Sequence, residues 1–555
     1  MRVRPKYIFV TGGVLSGLGK GIASASIGLL LKSQGFKVTA IKIDPYISID
    51  AGTMRPAEHG EIFVTKDGSE IDQDIGHYER FLDIDLSGDN NITSGKVYQE
   101  VINKERHFFY KGRDAELIPD VINEIKRMIY KPAQGYDFVI VEIGGTTGDL
   151  ENMPFLHAAR EIGRDYPAIY IMVTYLPLLK NTGELKTKPT QHAVARLREI
   201  GIMPDFIITR NEIPIDLPRI EVIAKRCFVD RENIIDDPDI DSIYKVPLSF
   251  AKNKLAEKIL AKFGIKNPRK KDLLRWHEFV SRLEEAKKEL QIYLVGKYVI
   301  HGANKHKDVY ISVLEALNHA AAACRVKLKV VPIDSESLEQ LDSKEVDFRL
   351  VKADGIVVPQ GWGSRGTEGK IKAARVAREQ KIPYLGLCFG MQMAVVEFAR
   401  NVLELKKANS TEINPKTKYP VIHVMPDQEK YLKEHQYGGT IRLGSWPCHV
   451  MKETKLYKAY NKVGWINGDS LIVSERHRHR YEFNNVYRGK FEKAGMKVAA
   501  TSPDNKLVEA IEISDHPFFI GTQFHPEYQS RPLQPHPIFL SFIEAILGIK
   551  NYDKS

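Results

Sequence analysis

The chain has 555 residues, 43% of them hydrophobic and 27% charged, with a formal net charge of +10. That length exceeds one core, and the composition is that of an ordinary globular protein, which excludes a disordered or low-complexity chain. The most apolar run, AIYIMVTYLPLL at 168–179, is too short and Pro-broken to span a bilayer, and Lys and Arg alternate with acids instead of interleaving with aromatics. Neither a membrane protein nor a nucleic-acid binder is expected, and the expectation is a cytoplasmic enzyme.

Over the first 260 residues, short apolar runs such as YIFVTGG, VTAIKID, FVIVEIGG and DFIITRNE end in Gly or polar clusters and lead into amphipathic stretches. Such runs predict strands buried on both faces of a parallel sheet. The first ends in TGGVLSGLGKG at 11–21, followed by the helical IASASIGLLLKSQG, the layout of a phosphate-binding loop. It departs from G-x-x-x-x-G-K-[ST] twice, with Val14 where the first Gly belongs and Gly21 where a hydroxyl belongs. Lys20, Lys42 after the next strand, the acidic pair Asp72 and Asp74, and Glu142 at the end of FVIVEIGG supply cations for phosphates and carboxylates for Mg²⁺. The alternative is that Asp72 caps a helix and Glu142 is the buried partner of a lysine.

NPRKKDLLRWHEFVSRLEEAKKEL, 267–290, is charged with helical spacing and predicts a connector helix. A second α/β series follows, through IYLVGKYV, VKLKVVPI, GIVVPQG, PYLGLCFG and FFIGTQFHPE. Gly386-Leu387-Cys388-Phe389-Gly390 is a G-x-C-x-G elbow between a strand and a helix, which exposes a nucleophile. His525 and Glu527, two apart in FHPE, can face the same way from an extended segment, giving a Cys388, His525, Glu527 triad. The other cysteines, Cys227, Cys324 and Cys448, form no C-x-x-C pair and are read as structural.

The second half resembles the class I glutamine amidotransferases, and the whole chain resembles the CTP synthase family. The likeness is carried by TGGVLSGLGKG, KIDPYISIDAGTM, HGEIFVTKDGSEIDQDIGHYERF, VEIGGTTGD, GELKTKPTQH, DIDSIY, LVGKYV, GSRGTEGKI, LGLCFGMQ, GGTIRLG, ERHRHRYE and QFHPEY. A partitioning-type ATPase would have no need of the triad. A cofactor-biosynthesis amidotransferase with a dethiobiotin-synthetase-like domain would lack KTKPTQH and ERHRHRYE.

The resemblance implies two α/β domains: a phosphate-loop, dethiobiotin-synthetase-like parallel sheet over 1–266, and an amidotransferase domain over 291–555. It implies ATP-dependent phosphorylation of UTP at O4, amination by ammonia that glutamine releases and that travels internally, and departure of phosphate. ATP would be held by Gly17, Leu18, Gly19, Lys20, Gly21, Lys42 and Asp74, its adenine by Asp239 and Ile240, and Mg²⁺ by Asp74 and Glu142. UTP would meet Ser16, Lys186, Lys188 and Gln191, and CTP, as feedback inhibitor, Asp149, Leu150 and Glu151. Gly361 and the Phe389 N–H would form the oxyanion hole, and Gln392, Glu412 and Arg480 would grip L-glutamine. GTP as activator and a homotetramer are also implied. On the residues alone, KTK also reads as a solvated edge and Arg480 as part of a charge-rich turn.

Three departures stand out. Trp362 replaces the usual Phe where the resemblance places the ammonia route, with packing alone as the other reading. Val222 replaces a lysine that would contact UTP, leaving Arg219 or Lys225 to serve. The loop IHGANKHKDVY after LVGKYV carries extra basic residues.

Overall fold

The computed structural model describes residues 4–266, 273–298, 308–425, 428, 439–466 and 470–548. Most of the basic loop after LVGKYV, residues 299–307, lies outside them, as do 267–272 at the start of the expected connector helix. The chain forms two compact units, Met1–Ala51 with Asp74–His277, and Gly52–Gln73 with Glu278–Ser555.

In the first unit the strands are β1 (Lys6–Gly12), β2 (Val38–Asp44), β3 (Asn91–Thr93), β4 (Phe138–Ile143), β5 (Ala168–Tyr175), β6 (Phe206–Asn211) and β7 (Ile234–Pro238). They form one sheet in the order β7-β6-β5-β1-β4-β2-β3, parallel throughout. Every residue of β2 and β4 is buried, as continuous apolar strands covered on both faces require. Helices α1 (Lys20–Ser33) and α2 (Asp74–Leu82) start beyond the C-terminal edge of this sheet, where ligands of open α/β sheets bind. The helix Leu274–Glu285 begins in this unit. Its Trp276 is buried against Phe81 and Tyr244, with the indole N–H on Tyr244 O at 2.9 Å.

The second unit has a nine-stranded mixed sheet. Its strands are β8 (Glu289–Gly296), β9 (Lys327–Asp334), β10 (Gly355–Val358), β11 (Tyr384–Leu387), β12 (Arg442–Val450), β13 (Ile472–His479), β14 (Met496–Thr501), β15 (Val508–Ile513) and β16 (Phe519–Thr522), ordered β9-β8-β10-β11-β16-β15-β14-β12-β13. The first five are parallel and the rest join antiparallel. A hairpin of Ile62–Val64 and Glu70–Asp72 belongs to this unit. It is tied there by Arg478 Nε to Glu70 Oε1 at 2.8 Å, Arg476 to Val64 O at 3.1 Å and Tyr528 Oη to Ile62 O at 3.1 Å. No helix among the described residues is long and apolar enough to cross a membrane.

Candidate active sites

In the first unit, β1 runs into a loop with Val14, Gly17 and Gly19 at positive φ, and Gly19, at φ 81°, is the residue from which α1 starts. Lys20, the first helical residue, is buried and donates to Gly145 O at 2.8 Å. Lys42 and Glu142 face each other across β2 and β4, 3.4 Å apart. Lys42 also pairs with Asp74 at the start of α2 and, at 3.5 Å, with Asp44, and Tyr78 donates to Glu142. Burial raises the pKa of Glu142 and Asp44. Burial acts the same way on Asp74, but Lys42, His77 and Lys20 outweigh it and hold its carboxyl low. Burial lowers Lys20 against the pull of Glu142. Two buried carboxylates and the half-buried Asp74 beside two buried lysine side chains are a phosphate-and-cation arrangement, and such hard oxygen donors suit a small divalent ion.

The missing hydroxyl now has a physical account. A Cβ at Gly21 would stand 2.8 Å from Asp74 Cγ, closer than real Cβ contacts, so the carboxylate occupies the space a side chain at 21 would fill. Asp72, by contrast, ends the hairpin strand counted with the second unit.

The residues implied for UTP and CTP are more open. Lys186 pairs with Glu184 at 2.6 Å, and the other oxygen of Glu184 takes Arg219 at 2.9 Å, so Arg219 stands beside Lys186. Val222, on the same helix, is 43% exposed and offers no cation. Lys188 starts the helix Lys188–Glu199, and Gln191 donates to Thr187 Oγ1 at 3.0 Å. Asp149 accepts from Thr146 N at 2.6 Å and Thr146 Oγ1 at 2.9 Å, which shapes the turn that leaves Leu150 and Glu151 exposed, while Ser16 is exposed on the phosphate loop. Asp239 pairs with Arg210 at 2.8 Å beside the exposed Ile240.

In the second unit, Cys388 sits between β11 and the helix Phe389–Asn401 at φ 52°, ψ −102°, a strained conformation that turns the thiol off the end of the strand. Both glycines of G-x-C-x-G are forced by close packing. A Cβ at Gly386 would meet Gly390 C at 2.9 Å, and one at Gly390 would meet Val358 C at 2.9 Å. His525 Nδ1 lies 2.7 Å from Glu527 Oε1. This contact is made at the start of a 3-10 turn, Pro526–Gln529, which His525 immediately precedes, so the extended segment expected from the i, i+2 spacing is corrected to a turn begun by Pro526. Burial alone would lower the His525 pKa, but Glu527 and Cys388 outweigh it and raise it to about 10. His525 Nε2, the nitrogen turned away from Glu527, is buried without a hydrogen-bond partner among the described residues, which leaves it available to exchange a proton. Gln523 Nε2 reaches Cys388 Sγ at 3.7 Å. Burial pushes the Cys227 thiol up to about 11 and Cys324 to about 12, and Cys448 far up, which keeps them inert. Cys448, His477 and Glu509 cluster in the core, where Arg442, 2.7 Å from Glu509, already supplies a cation.

A cavity of about 330 Å³ is bounded by Cys388, Phe389, Gln392, Glu412, Arg480 and Trp362. The structure thus gathers every residue implied for glutamine around one space, apart from Gly361, which lines an adjoining cavity of about 90 Å³ that Trp362 also borders. Glu412 accepts from Gly363 N at 2.7 Å, and burial raises its pKa. Gln392 Oε1 is buried without a partner among the described residues. Trp362 lies under the Arg478 guanidinium, 4.5 Å from the ring centre. Sequence reasoning missed Asp44, Tyr78, Gln523, Lys297 and Lys370. All five lie inside motifs quoted for the resemblance but carry no chemistry that spacing alone reveals.

A parallel α/β unit with a phosphate loop, in one chain with an α/β unit bearing a thiol triad, defines a ligase supplied by glutamine amidotransfer. Residues 6–265 match the family described as CTP synthase N-terminus, and residues 305–545 match glutamine amidotransferase class-I. The chain is 50% identical over 552 residues to the CTP synthase of Caldanaerobacter subterraneus subsp. tengcongensis, covering 98% of this chain and 99% of that one. It is 49% identical over 551 residues to that of Methanocaldococcus jannaschii, again covering 98% and 99%. A solved glutaminase domain of Trypanosoma brucei CTPS with bound acivicin is 39% identical, covers 47% of this chain and 95% of its own, and has a TM-score of 0.42. The chain belongs to the CTP synthase family, ligases that make CTP from UTP with glutamine.

Proposed function

We propose that the first unit phosphorylates UTP at O4 with ATP and aminates the product, using ammonia that the second unit releases from glutamine and that travels internally. The observation that carries this reading is the cavity lined by Cys388, Gln392, Glu412 and Arg480, together with His525 held by Glu527 at 2.7 Å. Glu412 pairs with the substrate ammonium and Arg480 with its carboxylate. Cys388 Sγ adds to the amide carbon, and the carbonyl electron pair moves to the oxygen, which Gly361 and Phe389 N–H groups stabilise. Collapse breaks the C–N bond as His525 gives its proton to the leaving nitrogen, and water then cleaves the thioester.

In the first unit, Lys20 and Lys42 neutralise phosphate oxygens during transfer, and Gly17, Leu18, Gly19 and Gly21 approach them through backbone N–H groups. Asp74 and Glu142 would hold Mg²⁺, whose contribution when bound is to neutralise charge on the phosphates. Asp239 and Ile240 take the adenine. Ser16, Lys186, Lys188 and Gln191 take the UTP triphosphate with Arg219 as an added cation, and Asp149, Leu150 and Glu151 take inhibitory CTP. GTP as activator and a cytoplasmic site belong to the same reading. A homotetramer belongs to the same reading, and the exposed Ile102, Phe108, Phe109, Leu117 and Ile118 are apolar side chains that a contact between copies would cover.

The test is Cys388→Ala. Glutamine-dependent CTP formation is lost by at least about 10³-fold, while formation from ammonium salts stays near the parent rate, because the triad supplies nitrogen only. A mutant that ammonia does not rescue would overturn the two-site reading.

A further inference from the structure

Two buried lysines outside the chemistry just described hold the loop that carries Gly361. Lys370, in the first turn of the helix Thr367–Glu379, is 0% exposed, and its Nζ donates to Pro359 O at 2.6 Å and Gln360 O at 3.2 Å. Tyr310 Oη donates to the same Gln360 O at 3.2 Å. Lys297 Nζ donates to Trp362 O at 2.6 Å and also to Gly363 O. Both ammonium groups lie over the Phe389 ring, at 4.6 Å for Lys297 and 5.3 Å for Lys370. Burying an ammonium group is costly unless its donors are satisfied. Burial lowers Lys297 to about 8 and Lys370 well below the usual lysine range. A methionine would fill the same space at Lys370 without that cost, so the lysine must serve the carbonyls it holds.

The geometry gives those carbonyls a purpose. In a planar trans peptide the oxygen of residue 360 and the N–H of residue 361 point in opposite directions. Two donors on Gln360 O therefore aim the Gly361 N–H away from Lys370 and Tyr310. Gly361 has φ 151°, and a Cβ there would stand 3.3 Å from Lys370 Nζ. The loop's neighbour is Phe389, whose own N–H begins the helix behind Cys388.

We propose that Lys370 is a positioning residue for glutamine hydrolysis: with Tyr310 it locks the Gln360–Gly361 peptide so that the Gly361 N–H faces the oxyanion. The inference rests on Cys388 as the nucleophile. The fold of the loop would permit the opposite peptide orientation, since glycine accepts both, and the lysine removes that freedom before substrate arrives.

The experiment uses full-length Lys370→Met. Loss of one preorganised oxyanion donor predicts a fall in glutaminase kcat of about 10²-fold, with KM within about threefold. Glutamate γ-semialdehyde, which adds Cys388 to form a hemithioacetal carrying the same oxygen, should lose affinity by a similar factor. Iodoacetamide alkylation of Cys388 forms no oxyanion and should keep the parent rate. Ammonia-dependent CTP formation reports folding. Tyr310→Phe, which removes only the second donor, should shift kcat and aldehyde affinity in the same direction by about tenfold or less. An unchanged kcat, or an iodoacetamide rate that falls with it, overturns the proposal, the second outcome assigning Lys370 to thiolate support instead. If Lys370→Met does not fold, Tyr310→Phe decides, and no change in aldehyde affinity overturns it. Failure of the nucleophile reading is separate, since glutaminase activity would then survive Cys388→Ala.

Discussion

Gly21 and Asp74 are two halves of one exchange. A phosphate loop ordinarily places a hydroxyl after its lysine, and here that space is filled by a carboxylate from another helix, 2.8 Å from where a Cβ would lie. Gly21→Ala must therefore push Asp74 off Lys42 or move α1, a strain of about 1–3 kcal/mol. We expect ammonia- and glutamine-dependent CTP formation to fall together, with a lowered Tm; unchanged ammonia-dependent phosphate release would show that the close approach does not matter. At this scale the sequence made Lys20, Lys42 and Glu142 legible, because Glu142 and Lys42 belong to apolar runs that had to be buried strands, Lys42 lying inside its strand and not after it as expected, and Lys20 follows such a run across a Gly-rich loop. It did not separate Asp72 from Asp74. The two differ by one turn of chain between a hairpin strand and a helix, and only three-dimensional packing decides which meets Lys42.

At the scale of elements, the strand-to-helix elbow was legible from G-x-C-x-G, since both glycines answer to close backbone contacts. The turn bearing His525 and Glu527 was not, because two residues in an i, i+2 relation meet as well across a 3-10 turn as along a strand. The turn matters for pH. His525 is raised from 6.5 to about 10, so its contribution to stability is fully present below about pH 6.5 and is lost as pH rises through about 10. Glu527→Gln removes the strongest of the effects that raise it while burial remains, so the His525 pKa should fall steeply, and the stabilisation should be lost at lower pH. Histidine ring NMR across pH 5–10 would follow the shift. Glutaminase kcat should drop by on the order of 10³ to 10⁴, with ammonia-dependent synthesis intact. A His525 that still titrates near the parent value would assign its elevation to Cys388 alone.

For the molecule as a whole, the two-series α/β rhythm was legible, but the grouping of Gly52–Gln73 with the later unit was not, because contacts such as Glu70 with Arg478 join residues about four hundred positions apart. That hairpin bears on the coupling of the two activities. Arg478, held by Glu70 at 2.8 Å, lies on the Trp362 ring at 4.5 Å, and Trp362 borders both the cavity of Cys388 and the smaller one beside it. A cation–π contact of this kind resists displacement by about 0.5–2 kcal/mol, enough to keep the indole in place most of the time while leaving its movement thermally accessible. Ammonia formed at Cys388 must leave its cavity, and on the proposed internal route the indole is the wall it passes. Trp362→Ala should join the two cavities. Glutamine hydrolysis should then continue within about threefold of the parent rate, because the mutation leaves the triad and the Gly361 and Phe389 donors untouched. CTP formed per glutamine consumed should fall below one as ammonia escapes to solvent, and the apparent KM for added ammonia should fall as the way in widens. Paired measurement of glutamate and CTP release decides the matter: a ratio that stays at one with unchanged ammonia kinetics makes Trp362 a packing residue, held by Arg478 for the loop's sake alone.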